Sequence, residues 1–156
     1  MIFRLFAVGR VRNAALREAS DDYLARARRY FPLEVIEVPD SARRGQSPSA
    51  ARRLEGIALL KRVTDSTLVA LTREGEQEDS PAFADRMARW QREARDVSFL
   101  IGGAGGLDPA VMEKCDGRLS LSSWTLPHEL ARVVLLEQIY RAGTILRGEP
   151  YHKGAR

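Results

Sequence analysis

The residues able to do chemistry are concentrated between positions 98 and 153. There SFLIGGAGGLDP is followed by LSLSSWTLPHELARVVLLEQIYRAGTIL and by RGEPYHK, so a glycine run, a serine-rich strand end and both histidines, His128 and His152, share one third of the chain. Glycines let a ligand approach the backbone closely. Serine and threonine hydroxyls can hold a polar group, and histidine titrates near neutral pH. This third reads as a ligand site, and the first two thirds read as scaffold. The run Gly102-Gly103-Ala104-Gly105-Gly106 lacks the Gly-Lys-Ser/Thr of a P-loop and the third glycine of the dinucleotide fingerprint. Taken alone it is a tight strand-to-helix connection or a ligand loop in equal measure. Ser122, Ser123 and Thr125 are either strand-end caps or ligand donors. A hydrolase using Ser122 or Ser123 with a histidine would lack the G-x-S-x-G elbow.

Hydropathy patterning supplies the elements that must position these residues. Strands are expected over Ile2 to Val8, Leu33 to Val38, Thr67 to Leu71, Val97 to Ile101 and Arg118 to Ser122. Helices are expected over Ala15 to Phe31, with Leu16, Tyr23, Leu24 and Ala27 on one face, and over Pro48 to Arg62, with Ala51, Leu54, Ile57, Ala58 and Lys61 as a stripe. A helix over Pro81 to Ala94 aligns Phe83, Met87 and Trp90; a short one follows the Asp108-Pro109 cap as far as Cys115; the last runs from Pro127 to Leu146. Strands separated by helices predict an α/β fold, a parallel sheet with helices on both faces. Both candidate loops then fall outside the carboxyl ends of strands, where open α/β sheets bind ligands. In the last helix Leu130, Val133, Val134, Leu135, Leu136, Ile139 and Tyr140 cover more than one face, which predicts burial on two sides and a homodimer. Glu137 and Arg141 form a favourable i, i+4 pair; Arg132 has no obvious local partner.

Composition narrows the classes. The length of 156 residues suits one domain, 1–156. No stretch approaches the roughly 20 apolar residues of a membrane span, and the start lacks a signal-peptide pattern, so the expectation is a cytoplasmic protein with no membrane partner. One cysteine, Cys115, and two histidines offer no metal cluster of recognisable spacing. Lys+Arg 25 against Asp+Glu 21 gives a net charge of +4, and only Lys61, Lys114 and Lys153 are lysines. Arginine binds phosphate bidentately and stacks on bases, which suits RNA, although a GC-rich genome raises arginine regardless of function.

The run DVSFLIGGxGGL, the run LSxxTLPHxLxR, then YRA and the closing PYHK together resemble the ribosomal large-subunit (23S rRNA) pseudouridine N3-methyltransferase family of the SPOUT superfamily. The resemblance extends over nearly the whole chain. It implies a deep trefoil knot around the last two strands and final helix, a feature otherwise essentially absent from folds. It further implies S-adenosyl-L-methionine bent in that knot and held by three loops: Leu71 and Thr72; Gly102, Gly103 and Gly106; and Leu121, Ser122, Ser123, Trp124, Thr125, Leu126 and Pro127. Gly105, where relatives often carry a larger residue, receives no side-chain role. His152 is the best base for the acceptor imide proton, with Tyr151 or Lys153 stabilising charge beside it. His128 reads as helix-end packing or a dimer contact, and more weakly as a second base. Arg132 and Arg141 are candidates for RNA phosphate or the dimer seam, and Arg43, Arg44 and the tail's basic residues for ribosomal phosphate. The implied partners are a second copy of the chain and ribosomal RNA within the ribosome. The alternative is a noncatalytic RNA-binding or ribosome-associated factor.

Overall fold

Five short apolar segments pair side by side in the computed structural model, which describes residues 1–42 and 46–151. They are β1 (Phe3–Val8), β2 (Leu33–Val38), β3 (Thr67–Gln77), β4 (Val97–Ile101) and β5 (Gly117–Ser120). All pairings are parallel, in the order β2-β1-β4-β3-β5. Between them run α1 (Ala14–Ala27), α2 (Pro48–Arg62), α3 (Ser80–Arg92) and α4 (Pro109–Met112), with α5 (His128–Leu146) closing the chain's regular structure.

Because side chains alternate along a strand, the sheet has two apolar faces and buries both. Phe3, Leu5, Phe99 and Ile101 meet Ala27 of α1, Phe83, Met87 and Trp90 of α3, and Leu135, Leu136, Ile139 and Ala142 of α5. Phe99 sits at the centre, with ring centroids 6.4 Å from Phe3, 6.3 Å from Phe83 and 5.9 Å from Trp90. On the other face Phe6, Val8 and Leu100 pack against Leu59 of α2 and Val111 of α4. The helices lie on both faces, as the alternation of elements predicts.

Local chemistry sets the helix starts. Asn13, Ser47, Asp79 and Asp108 each accept an N-terminal amide of the helix that follows, at 3.1, 3.2, 2.8 and 2.9 Å. Helix α1 ends at Ala27 rather than Phe31; beyond it the amides of Arg29 and Tyr30 bond three residues back, to Arg26 and Ala27, in a tighter turn that leads to Pro32. Strand β3 is longer than its apolar run. It continues through the charged segment to Gln77, with a register shift against β5 between Leu71 and Glu76. Gly75 permits this, since a Cβ there would lie 2.6 Å from the Leu119 carbonyl carbon. The expected stripe of α2 is corrected: Ala51, Glu55, Gly56 and Leu59 face inward, whereas Leu54 and Ile57 are exposed. The buried carboxylate of Glu55 accepts the Ser41 amide at 3.1 Å, which turns the helix away from its most apolar orientation.

Helix α5 lies against α1 and α3, so much of the burial that its all-round apolar pattern demands is met within one protomer. From His128 to Ile145 each residue is at least partly covered, Leu130, Val134 and Tyr140 only partly. Arg132 is also corrected. Its side chain is buried, with Nη1 donating to Glu37 Oε1 at 2.5 Å and Nη2 to the Gly9 carbonyl at 2.8 Å, so it ties α5 to β1 and β2 and presents no surface to RNA.

Two consequences can be measured by denaturant unfolding at fixed protein concentration. Gly143 faces Tyr30 so closely that a Cβ would lie 2.3 Å from its Cγ, and Gly143→Ala is expected to cost about 2 kcal/mol by overpacking. Arg132→Ala is expected to cost about 2 kcal/mol, below the range for a fully buried pair because Glu37 is partly exposed; an unchanged midpoint would show that the pair is not structural.

Candidate functional site

The carboxyl ends of β3, β4 and β5 open onto a cavity of about 470 Å³, within the range of small-molecule sites. Three backbone segments meet there. Leu71, Thr72 and Arg73 come from β3; Ile101, Gly102, Gly103, Ala104 and Gly106 follow β4; Leu121, Ser122, Trp124, Thr125, Leu126 and Pro127 follow β5. His128 and Ala131 of α5 complete the wall.

The segment after β4 is a tight turn in which the Gly106 amide donates to the Gly103 carbonyl at 3.0 Å. Gly106 has φ +78°, and a Cβ on Gly102 would lie 2.3 Å from the Gly106 carbonyl carbon. Both positions therefore require glycine, one for its dihedral and one for space. Position 105 does not: its Cβ would make ordinary contacts, 3.7 Å from the Pro48 carbonyl oxygen and 3.9 Å from Arg52 Cβ. Helix α2 backs this turn. Arg52 Nη1 donates to the Gly105 carbonyl at 3.5 Å, and a Cβ on Gly103 would stand 3.0 Å from Glu55 Oε2. Burial pushes the Glu55 carboxyl above its usual range, against the lowering effect of the Ser41 amide.

The segment after β5 is shaped by its own hydroxyls. Ser120 Oγ donates to the Ser122 carbonyl at 2.9 Å, and Ser122 Oγ accepts the Trp124 amide at 2.9 Å. The Ser122 hydroxyl thus builds the turn. Thr125 Oγ1 accepts from Arg73 Nη1 at 3.3 Å, joining this segment to β3. Trp124 lines the cavity although it is 81% exposed, which puts it at the rim. Ser123 is exposed and does not line the cavity. Helix α5 begins at the cavity wall without a side-chain cap, leaving first-turn amides for a ligand's anionic group.

Of the twelve residues expected to hold a cofactor, all except Ser123 line this one cavity. Arg73, Ile101, Ala104 and Ala131 line it as well without having been expected. Arg73 hides in the charged run TREGEQED, which reads as loop, and only Gly75 marks the strand's continuation past the bulge. His128, expected at a helix end, lies in the wall. Arg43, Arg44, His152 and Lys153 lie outside the described residues.

Tyr151, at the edge of the described chain, is placed elsewhere. Its ring packs on Tyr140 at 4.6 Å beneath the Arg141 guanidinium at 4.9 Å, and its hydroxyl donates to Glu137 Oε1 at 3.1 Å and lies 3.5 Å from that of Tyr23. Burial, the hydrogen bond with Tyr23 and the charge of Glu137 push its phenol far up, so it stays protonated. Glu137 is six residues beyond Ala131, about 9 Å along the helix axis, and Tyr151 is not among the cavity's lining residues. Arg141 makes the expected pair, with Nε 2.9 Å and Nη2 2.6 Å from Glu137 Oε1, and is held to its own helix.

The described residues contain no group of three or more histidine, cysteine or acidic side chains able to hold a metal, and none of their helices is long and apolar enough to cross a membrane. Cys115, whose thiol burial pushes up to about 11, donates to the Val111 carbonyl at 3.2 Å and is inert. The site offers backbone amides and carbonyls, a few hydroxyls and a partly enclosed apolar surface. Such a site works by binding and orienting.

Known proteins show the family of the chain. The family described as "Predicted SPOUT methyltransferase" matches residues 1–152. A protein of Gemmatimonas aurantiaca named "Ribosomal RNA large subunit methyltransferase H" is 49% identical over 150 residues, covering 96% of this chain and 97% of that protein. Proteins of the same name from Anaeromyxobacter dehalogenans and Bacillus thuringiensis are 47% and 41% identical, each covering 98% of this chain and 100% of the relative. Among solved structures, a probable methylase family protein from Haemophilus influenzae superposes with a TM-score of 0.54 at 13% identity, covering 96% of this chain and 69% of that one. A putative methylase family protein from Neisseria gonorrhoeae gives 0.51 at 14% identity, over 88% and 81%; at these identities the likeness speaks for the fold alone. With a family match over almost its full length and near-complete overlap with relatives that all carry one name, the chain belongs to the SPOUT methyltransferases, among the ribosomal RNA large subunit methyltransferase H proteins.

Proposed function

We propose that this protein transfers a methyl group from S-adenosyl-L-methionine to N3 of a pseudouridine in large-subunit ribosomal RNA, acting as a homodimer on assembled ribosomes. The observation that carries the reading is the convergence of three separate loops on one cavity, in a chain of this family. A noncatalytic ribosome-associated factor would leave that cavity, and the glycines that open it, without a use.

The residues fit the cofactor. The glycine turn presents main-chain groups at close range, the loop from Leu121 to Pro127 closes over it, and the uncapped start of α5 suits a carboxylate. When bound, S-adenosyl-L-methionine supplies a methyl on sulfonium and leaves as a neutral thioether. The chain's own task is to hold the acceptor in line, exclude water and take the imide proton. His152 is the proposed base, a neutral imidazole working near physiological pH. Tyr151 is the proposed second tail residue; its hydroxyl, which donates to Glu137 in the structure, would have to exchange that partner for the acceptor to stabilise the charge that develops there.

Tyr151 packs on its own α5 about 9 Å along the axis from Ala131, which supports a tail that serves the cavity of the partner subunit. The partly covered Leu130, Val134 and Tyr140 support a dimer seam along α5. The trefoil knot belongs to the same reading: β5 lies outside β3 in the sheet, and the chain from it returns past the β3 and β4 loops to reach α5. The choice of nucleotide falls to the surface around the cavity and the shape of the dimer, with Arg43, Arg44 and Lys153 on phosphate.

Calorimetric titration is expected to show S-adenosyl-L-methionine binding by the wild type and at least tenfold weaker binding by Gly102→Ala, whose new Cβ meets the Gly106 carbonyl. Absence of binding by well-folded wild type would sink the reading. His152→Ala is expected to lose methyl transfer to ribosomes by about 100-fold or more while keeping cofactor affinity; unchanged turnover would remove His152 as the base.

A further inference from the structure

Trp124 is the most exposed large apolar side chain among the described residues, at 81%, whereas Trp90 is buried at 8%. The backbone beneath the indole is fixed. The Trp124 amide is bonded to Ser122 Oγ at 2.9 Å, and the next residue, Thr125, is bonded to Arg73 at 3.3 Å. Ser122, Thr125 and Arg73, and Trp124 itself, line the cavity, so the exposed indole belongs to its rim. Keeping so large an apolar surface in water forgoes the burial energy such a ring usually contributes. The loop's hydrogen bonds nevertheless hold it there.

Arg73 stands beside it. The irregular stretch of β3 between Leu71 and Glu76 carries Arg73 to the cavity, where its side chain is exposed. Among the described residues its guanidinium makes one hydrogen bond, to Thr125, and no ion pair, which leaves its other donors to solvent or a ligand. A flat indole next to an uncommitted guanidinium is the combination that holds single-stranded nucleic acid: the ring stacks on a base and the cation takes a phosphate. An enzyme that works on a ring atom of a base must also draw that base from its stack, and lost stacking is best replaced at the mouth of the pocket.

We propose that Trp124 and Arg73 form a landing platform for RNA at the rim of the cavity, Trp124 stacking on a base beside the target nucleotide and Arg73 binding an adjacent phosphate. The proposal rests on the methyltransferase reading. It gives the Trp124 side chain to the RNA and leaves only its backbone to the cofactor.

The test uses full-length wild type, Trp124→Ala, Trp124→Phe and Arg73→Gln, with S-adenosyl-L-methionine affinity from calorimetry and label transfer to ribosomes. Trp124→Ala is expected to raise KM for ribosomes roughly five- to a hundredfold, the cost of one lost stack. Its cofactor Kd should stay within twofold, and Trp124→Phe should recover most of the loss. Arg73→Gln should lower the slope of log KM against log salt by about one. Failure of the wild type to methylate ribosomes would overturn the enzymatic reading and the platform together. An active wild type with unchanged KM in Trp124→Ala overturns the platform alone, as does a cofactor Kd that rises in step with KM. Tryptophan emission of the free protein that acrylamide cannot quench would place the indole under the partner subunit, and overturns it too.

Discussion

The placement of α5 governs the site. Near one end Gly143 lets the helix approach Tyr30 at a distance no side chain allows. Near the other, Arg132 bonds Glu37 and the Gly9 carbonyl, holding the first turns over the ends of β1 and β2. Between these anchors Leu135, Leu136 and Ile139 are fully buried against the sheet. A helix fixed at both ends and along its length has no freedom to slide. Residues 121–127, which connect β5 to it, are thereby held at both termini, and this loop forms one wall of the cavity.

The remaining walls depend on backbone proximity. Gly75 admits β5 against β3, and Gly102 admits the carbonyl of Gly106. Close approach of main chain creates a pocket whose lining is set by hydrogen bonding more than by side-chain identity. That suits a ligand recognised through amides and carbonyls, and it leaves position 105 open to a side chain, whose Cβ would make only ordinary contacts. Helix α2 supports the same turn from behind by burying Glu55, at an electrostatic cost that its bond to the Ser41 amide partly offsets.

Much of this was legible in the residues themselves. The alternating apolar runs located all five strands, and Asp108 before Pro109 marked a helix start that the structure reproduces. The ordered motifs from residue 98 onward pointed to the residues that meet in the cavity, although no one of them was specific. What could not be read was orientation. Arg132, with no partner near it in sequence, is paired with residues more than ninety positions away. The stripe on α2 was misread because Leu54 and Ile57 are more apolar than the Glu55 that is buried, and only tertiary contacts reverse that preference. Charged residues hid the continuation of β3, and with it Arg73, because at this edge the strand's outer half is solvated.

A division of labour follows from the two kinds of wall. On the reading proposed above, the cofactor side is main chain, bounded by positions such as Gly102 where a methyl group cannot be added. The acceptor side, on the same reading, is made of side chains at the rim and of the tail, whose Tyr151 packs on α5 of its own protomer. On that reading the surface surrounding the pocket recognises the RNA. Rigidity on one side and side-chain contact on the other let one fold keep its cofactor chemistry while the rim is fitted to a particular RNA neighbourhood. Trp124 lies where the two sides meet: its amide belongs to the turn that builds the wall, and its ring faces the solvent from which the substrate arrives.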